Sequence, residues 1–306
     1  MNDDNKKMNE VVRNLQSISK NYINQINTFN INMAPIYQSI HEMTYKMSQI
    51  GNLARKYINE SGIQKSLAKI RKGVIETEED LKLFKSLMVE MGYPPHEGIN
   101  IGTMRSLAQS YREDKSLITS EVIDDFMFNY YDSEKIKSLA IEWENNKILK
   151  ERLPILRNVV TAHNLGLYNL SIPAILAQLE GTLVDAFGIK GKVDGNIIKL
   201  ILKSLLRKDI LKNSGFNFDN EIHDYYEKNI LVGFEHGKTI GSEISRNAIL
   251  HGADKSYGEL ANSIKVILLF DYIANAIETL ESDTKNHCKR EVKKYRQNKK
   301  NNYRKK

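Results

Sequence analysis

The chain has 306 residues, 41% apolar and 27% charged, the composition of an ordinary globular protein of one or two domains. Its single cysteine, Cys288, excludes an intramolecular disulfide framework and a cysteine-cluster zinc site. The net charge of +7 sits at one end: Lys289 to Lys306 holds seven Lys and three Arg against one Glu, so the remainder is close to neutral. Only five prolines interrupt long periodic runs of Ile and Leu, which predicts an all-α fold. Met1-Asn2-Asp3-Asp4-Asn5-Lys6-Lys7 is not followed by an apolar segment of the signal-peptide kind, and the expected location is cytoplasmic. The longest uninterrupted apolar run, Val266 to Phe270, is far below the about 18 residues of a membrane span, so no membrane partner is expected.

Residues 1–75 read as a long helical hairpin or coiled-coil arm. Val11, Leu15, Ile18, Tyr22, Ile26 and Phe29 recur at spacings of three and four, as do Ile36, Ile40, Met43, Met47, Ile50 and Tyr57 beyond Pro35. Such seams fit packing against the rest of the chain, a second copy, or a regulatory protein or phage trigger. Residues 76–148 form a helical middle region. Thr77-Glu78-Glu79-Asp80 puts acids where a helix start would favour them, and Gly92-Tyr93-Pro94-Pro95-His96-Glu97-Gly98 is a loop. Further helices are expected near 101–112, 117–130 and 133–148. His96 has no ligand-spaced partner in sequence and reads as a surface residue.

Residues 149–285 predict a bundle whose simplest architecture is five helices around one core. Arg152–Tyr168 is the first, and Ser171 is placed to cap the next, which Gly188 ends. Helices near 195–212, 219–232 and 239–251 follow, then a long one from Tyr257 through Leu280. Residues 286–306 read as a disordered basic tail. Tyr295 and Tyr303 stand among its charges, a mixture suited to phosphate attraction and base stacking, with Lys293, Lys294, Arg296, Lys299 and Lys300 as candidate RNA contacts.

The segment Ser245-Arg246-Asn247-Ala248-Ile249-Leu250-His251-Gly252 carries the clearest chemical suggestion. Five residues on an ideal helix leave Arg246 and His251 about 140° apart, too divergent in mid-helix. Gly252 is placed to end the helix just after His251, where the last residue can swing. A fixed cation beside a group that moves protons near neutral pH suits attack of a ribose 2′-oxygen on phosphorus. The guanidinium would receive the charge gathering on the phosphoryl oxygens. The bland alternatives are an Arg246 ion pair with Glu243 or Asp185 and a His251 that merely ends its helix.

This segment, followed by Tyr257-Gly258 and Asn262-Ser263-Ile264-Lys265, resembles the motif region of the HEPN superfamily: Arg, a polar residue, several more residues, then His. Ala162-His163, Gly166, Tyr168, Leu170-Ser171-Ile172-Pro173 and Gln178-Leu179-Glu180-Gly181 are similar to the first part of bacterial members, so the resemblance spans roughly 150–285. It implies a helical bundle that pairs as a homodimer or higher homo-oligomer and cleaves RNA without a metal or other cofactor. Many members act in antiphage defence or as toxins. On the matching positions it implies Arg246 and His251 as the catalytic pair and Asn247 as their polar auxiliary. Glu180 is an auxiliary candidate on an earlier helix. A non-catalytic scaffold that binds protein or RNA is the competing expectation. A third is modification by nucleotide transfer, for which Tyr257 is the residue to watch. His163 is expected to be structural; His223 and His236 carry no motif.

Overall fold

Several of these helices start where a short polar side chain takes up a backbone N–H group that the helix itself leaves unbonded. The computed structural model describes residues 63–206 and 214–304, together with Glu42. Among the described residues the fold is all-α, with 11 α-helices and no strand. The two N-terminal apolar repeats, Val11 to Tyr57, lie outside the described residues.

Helix α1, Ile63–Glu90, runs straight through Thr77–Asp80, so the expected start there is corrected and the boundary at 75 falls inside a helix. The Lys, Gln, Ala and Leu residues upstream all support helix, and no proline stops it. Asp80 instead works in tertiary structure. It is buried, and Arg105 Nε, Gln109 Nε2 and Arg112 Nη2 of the next helix donate to it at 2.8–3.0 Å. Burial pushes its carboxyl up, but these donors prevail and hold it below the ordinary value. That next helix is α2, Ile101–Glu113; α3, Ser120–Tyr130, and α4, Ser133–Asn145, follow close to their expected places. Asn100, Thr119 and Asp132 cap the three, each accepting from the backbone N–H three residues on.

Helix α5 is Leu153–Asn164 and α6 is Tyr168–Phe187, ended by Gly188 at φ 59°. Ser171 is not the α6 cap: it lies inside the helix, its Oγ donating to the Tyr168 carbonyl or pairing with Ser263 Oγ at 2.9 Å. Pro173 is therefore internal and lacks the N–H that would reach the Asn169 carbonyl four residues back. Tyr257 Oη donates to that carbonyl instead, at 3.3 Å. The chain continues through α7, Gly195–Leu206; α8, Asp219–Tyr225, which widens into a π turn at Tyr226–Ile230; and α9, Arg246–Leu250. The last two are α10, Leu260–Glu278, and α11, Ser282–Arg304.

Helix α10 is the axis of the molecule, packed by α3, α4, α6 and α7. One buried apolar cluster joins the middle region to the C-terminal helices, from Leu81 and Phe84 to Phe270 and Val292. Helices α6 and α10 are long and apolar enough to cross a membrane by length and composition, contrary to the reading from uninterrupted runs. Of their most apolar windows 50% and 78% are buried inside the protein.

Two histidines are fixed by this core. His96 is corrected from surface to interior: it is 3% exposed, its Nε2 lies 3.0 Å from Asp271 Oδ2, and its Nδ1 lies 2.9 Å from Tyr131 Oη. No sequence spacing could reveal a partner 175 residues away. His163 is structural as expected, 5% exposed with Nδ1 2.8 Å from Ser263 Oγ. Burial lowers its pKa to about 4. The unfolded chain then binds a proton near pH 6.5 that the folded protein refuses until about pH 4. The contribution of this group is expected to be full above pH 6.5 and to fall as pH drops through 6.5 to 4, by up to about 1.4 kcal/mol per pH unit. Glu97, pushed up to about 7 by burial, acts in the opposite direction over part of that range, so the difference between wild type and a His163 variant is the readout. Urea unfolding at pH 7 and pH 5 checks this. A His163→Gln protein losing as much stability as wild type over that interval would contradict it.

The basic C-terminal segment is also corrected from disordered tail to helix α11. Hidden among its charges, Cys288, Val292 and Tyr295 at spacings of four and three form a stripe that packs on α7. Tyr295 Oη donates to Asp194 Oδ2 at 3.1 Å and is half-buried, so its ring is not offered for base stacking. Tyr303 lies outside the described side chains.

Candidate functional site

The Arg246–His251 segment is shorter and more sharply bounded than its sequence suggested. Instead of a helix over 239–251, residues 231–244 form an irregular loop, broken by Gly237 at φ 80°, and α9 has only five residues. Ser245 sets its start. Its Oγ accepts from Ala248 N at 3.3 Å and donates to the Val232 carbonyl at 3.0 Å, stitching the loop to the helix. Arg246 is thus the first helical residue and His251 the residue that closes the helix.

Gly252 ends α9 as expected, at φ 71°. Its N–H bonds the Ile249 carbonyl at 3.1 Å, and Ala253 N–H bonds the Ala248 carbonyl at 2.8 Å, the paired reverse bonds of a Schellman stop. A side chain at 252 would strain this left-handed backbone. Ala248 and Ile249 anchor α9 in the core against α6, which leaves Arg246 part-buried and His251 exposed.

Three of the expected residues meet. Arg246 Nη2 bonds Glu180 Oε2 on α6 at 2.8 Å, and Arg246 Nη1 donates to Asn247 Oδ1 at 3.1 Å. Glu180, not Glu243 or Asp185, is therefore the partner; those two acids pair with Lys265 and Arg152. Arg246 Nε is buried without a hydrogen bond. His251 extends from the other end of α9 and stacks on Phe234, centroids 5.7 Å apart and planes 25° apart. His236 meets the same ring edge-on at 5.1 Å.

Tyr257 does not join them. Its hydroxyl serves the Asn169 carbonyl, and its ring lines a separate cleft of about 860 Å³. Glu90, Asp124, Glu243, Asp254 and Glu259 line that cleft against one cation, Lys265. A wall so acidic repels phosphate, which argues against Tyr257 as a nucleotide acceptor.

Sequence reasoning missed Phe234, which orients His251, and Tyr226. Tyr226 opens the π turn, a widening often found at functional sites. Its ring is fully buried, its hydroxyl has no partner, and burial followed by the Glu180 charge pushes its pKa up while Arg246 pulls it down. An unbonded buried hydroxyl contributes nothing to the fold. Tyr226→Phe is expected to leave thermal stability unchanged or raise it slightly; a loss above about 1 kcal/mol in urea unfolding would show that the hydroxyl is bonded after all.

Among the described residues no group of three or more His, Cys, Asp or Glu is arranged to hold a metal ion. Comparison of the chain with family models, curated proteins and solved structures returns no match.

Proposed function

We propose that this protein is an endoribonuclease that cleaves RNA by attack of the ribose 2′-oxygen on the adjacent phosphorus. The observation that carries the reading is the short helix α9, which puts a clamped guanidinium at its first residue and an exposed imidazole on the residue that caps its end. Glu180 and Asn247 fix the plane of Arg246, and a fixed fork is what bidentate phosphoryl recognition needs. His251, held flat on Phe234 at the surface, accepts the 2′-proton or returns one to the leaving 5′-oxygen. Arg246 takes the negative charge that develops on the phosphoryl oxygens, without a metal or other cofactor. The bond formed is 2′-O–P and the bond broken is P–5′-O, giving a cyclic phosphate and a 5′-hydroxyl.

Arg246 and His251 stand at opposite ends of α9, and the resemblance to HEPN proteins implies a homodimer that brings the pairs of two copies into one site. Toxin or antiphage action on cellular RNA in the cytoplasm is the setting that fits the resemblance to HEPN proteins. A second reading, a helical scaffold without catalysis, is favoured by the Glu180 ion pair, which neutralises Arg246 in the single chain. Purified protein incubated with total RNA in EDTA separates the two. Cleavage that disappears in both Arg246→Ala and His251→Ala supports the nuclease; intact RNA under all conditions supports the scaffold.

A further inference from the structure

We infer that one face of α11, with the turn after α6, is a docking groove for the phosphodiester backbone of RNA. The inference rests on the proposed function for the choice of RNA, and on geometry for the place. Lys289, Lys293, Arg296 and Lys300 recur at spacings of four, three and four, so they lie within about 60° of one helix face along about 16 Å. Lys190, from the turn after α6, faces them across a groove of about 530 Å³. Five cations line this groove and no carboxylate does.

The acids nearby are already engaged. Asp194 is bonded by Lys299 at 2.7 Å, Glu291 by Lys294 at 2.8 Å, and Asp185 by Arg152. Lys294 and Lys299 therefore neutralise their own neighbours and are removed from the candidate RNA contacts. Arg296 has a different duty. Its Nη1 and Nη2 donate to the carbonyls of Lys190 and Lys192 at 2.8 and 2.7 Å, bracing the turn that supplies the opposite wall. Lys289, Lys293, Lys300 and Lys190 have no acidic partner among the described residues, and their charge faces solvent.

A repeating anion satisfies such a row, because each phosphate displaces counterions at one cation after another. An anionic membrane would also be attracted. However, the apolar stripe of α11 is turned inward onto α7, and no large hydrophobic side chain is exposed on the described part of α11, so nothing is offered for insertion. The groove presents mainly charge: Arg296 is held on the carbonyls of Lys190 and Lys192, and Gln297 is the one amide side chain in its lining. It would hold the substrate strand while cleavage occurs elsewhere.

The test uses a fluorescein-labelled 20-nucleotide 2′-O-methyl RNA, which binds but has no 2′-hydroxyl to react, with affinity read by anisotropy from about 50 to 200 mM salt. Lys289→Gln/Lys293→Gln/Lys300→Gln is expected to weaken binding at least about tenfold and flatten the log Kd against log salt slope by about 2. Lys294→Gln/Lys299→Gln should stay within about twofold of wild type. Equal losses in the two variants, or no loss in the triple variant, would overturn the groove. So would binding to phosphatidylserine vesicles that falls in the triple variant while RNA binding does not. Failure here is separable from failure of the nuclease reading. Cleavage of natural RNA with an unchanged KM in the triple variant rejects the groove alone. RNA binding through the groove without any cleavage rejects the nuclease alone.

Discussion

Replacing His251 by alanine is expected to lower kcat for RNA cleavage by about two to four orders of magnitude, the usual worth of a positioned acid or base. The loss should be the same in EDTA and in magnesium, because the proposed proton transfers use the imidazole alone. Arg246→Ala should cost about 10²–10³ in kcat, the scale of removing one preorganised charge stabiliser. Arg246→Lys should recover little of it, since an ammonium cannot hold Glu180 and a phosphoryl group in one plane. The His251 variant should fold normally: the side chain is exposed and stacks on a half-buried ring, so its stability should match wild type within about 0.5 kcal/mol. Product analysis for cyclic phosphate ends gives a chemical check independent of rate. Cleavage within threefold of wild type in both variants would remove α9 from the chemistry.

The largest expected effect on stability lies elsewhere, at Asp271. This residue of α10 is 1% exposed and collects Trp143 Nε1 at 2.6 Å, His96 Nε2 at 3.0 Å and Asn275 Nδ2 at 3.2 Å. Gly98 N–H donates to His96 Nδ1 at 3.0 Å, so that nitrogen is an acceptor and the ring proton sits on Nε2, facing the carboxylate. The arrangement ties the loop after α1 and the indole of α4 to the central helix. Asp271→Ala strands two buried donors at once and is expected to cost about 3–5 kcal/mol in urea unfolding. His96→Ala should cost less, and the double variant less than the two losses combined, because both remove the same contact. A loss below about 1 kcal/mol for Asp271→Ala would mean that the network rearranges without penalty. RNA cleavage by a folded Asp271→Asn protein should be retained, since Arg246 bonds Glu180 and Asn247 and has no contact with Asp271.

Local chemistry explains which parts were readable from the chain alone. Apolar periodicity located α2, α3 and α4 to within about three residues at each end, because each is amphipathic and begins at a short polar cap. Gly188 and Gly252 announced their helix ends, because only glycine enters the left-handed backbone without strain. The Arg246, Asn247 and His251 set was legible as a motif, and Glu180 as a candidate from resemblance. That Glu180 grips Arg246 was not legible, since the contact spans 66 positions and depends on how α6 packs on α9.

The errors share one cause. His96 looked exposed because its loop is polar, yet a carboxylate far along the chain compensates the burial of its ring. Thr77–Asp80 looked like a helix start because acids favour that position, yet Asp80 exists to receive Arg105 and Arg112. The basic C-terminal segment looked disordered because charge dominates its composition, yet Cys288, Val292 and Tyr295 suffice to bind it to α7. Sequence by itself determined the helical class, the glycine-terminated helix ends and the residues with chemical capacity, all of which follow from interactions within a few positions. Only the tertiary structure decided which charges are spent on one another and which remain to meet a substrate, because pairing across the fold is a property of packing.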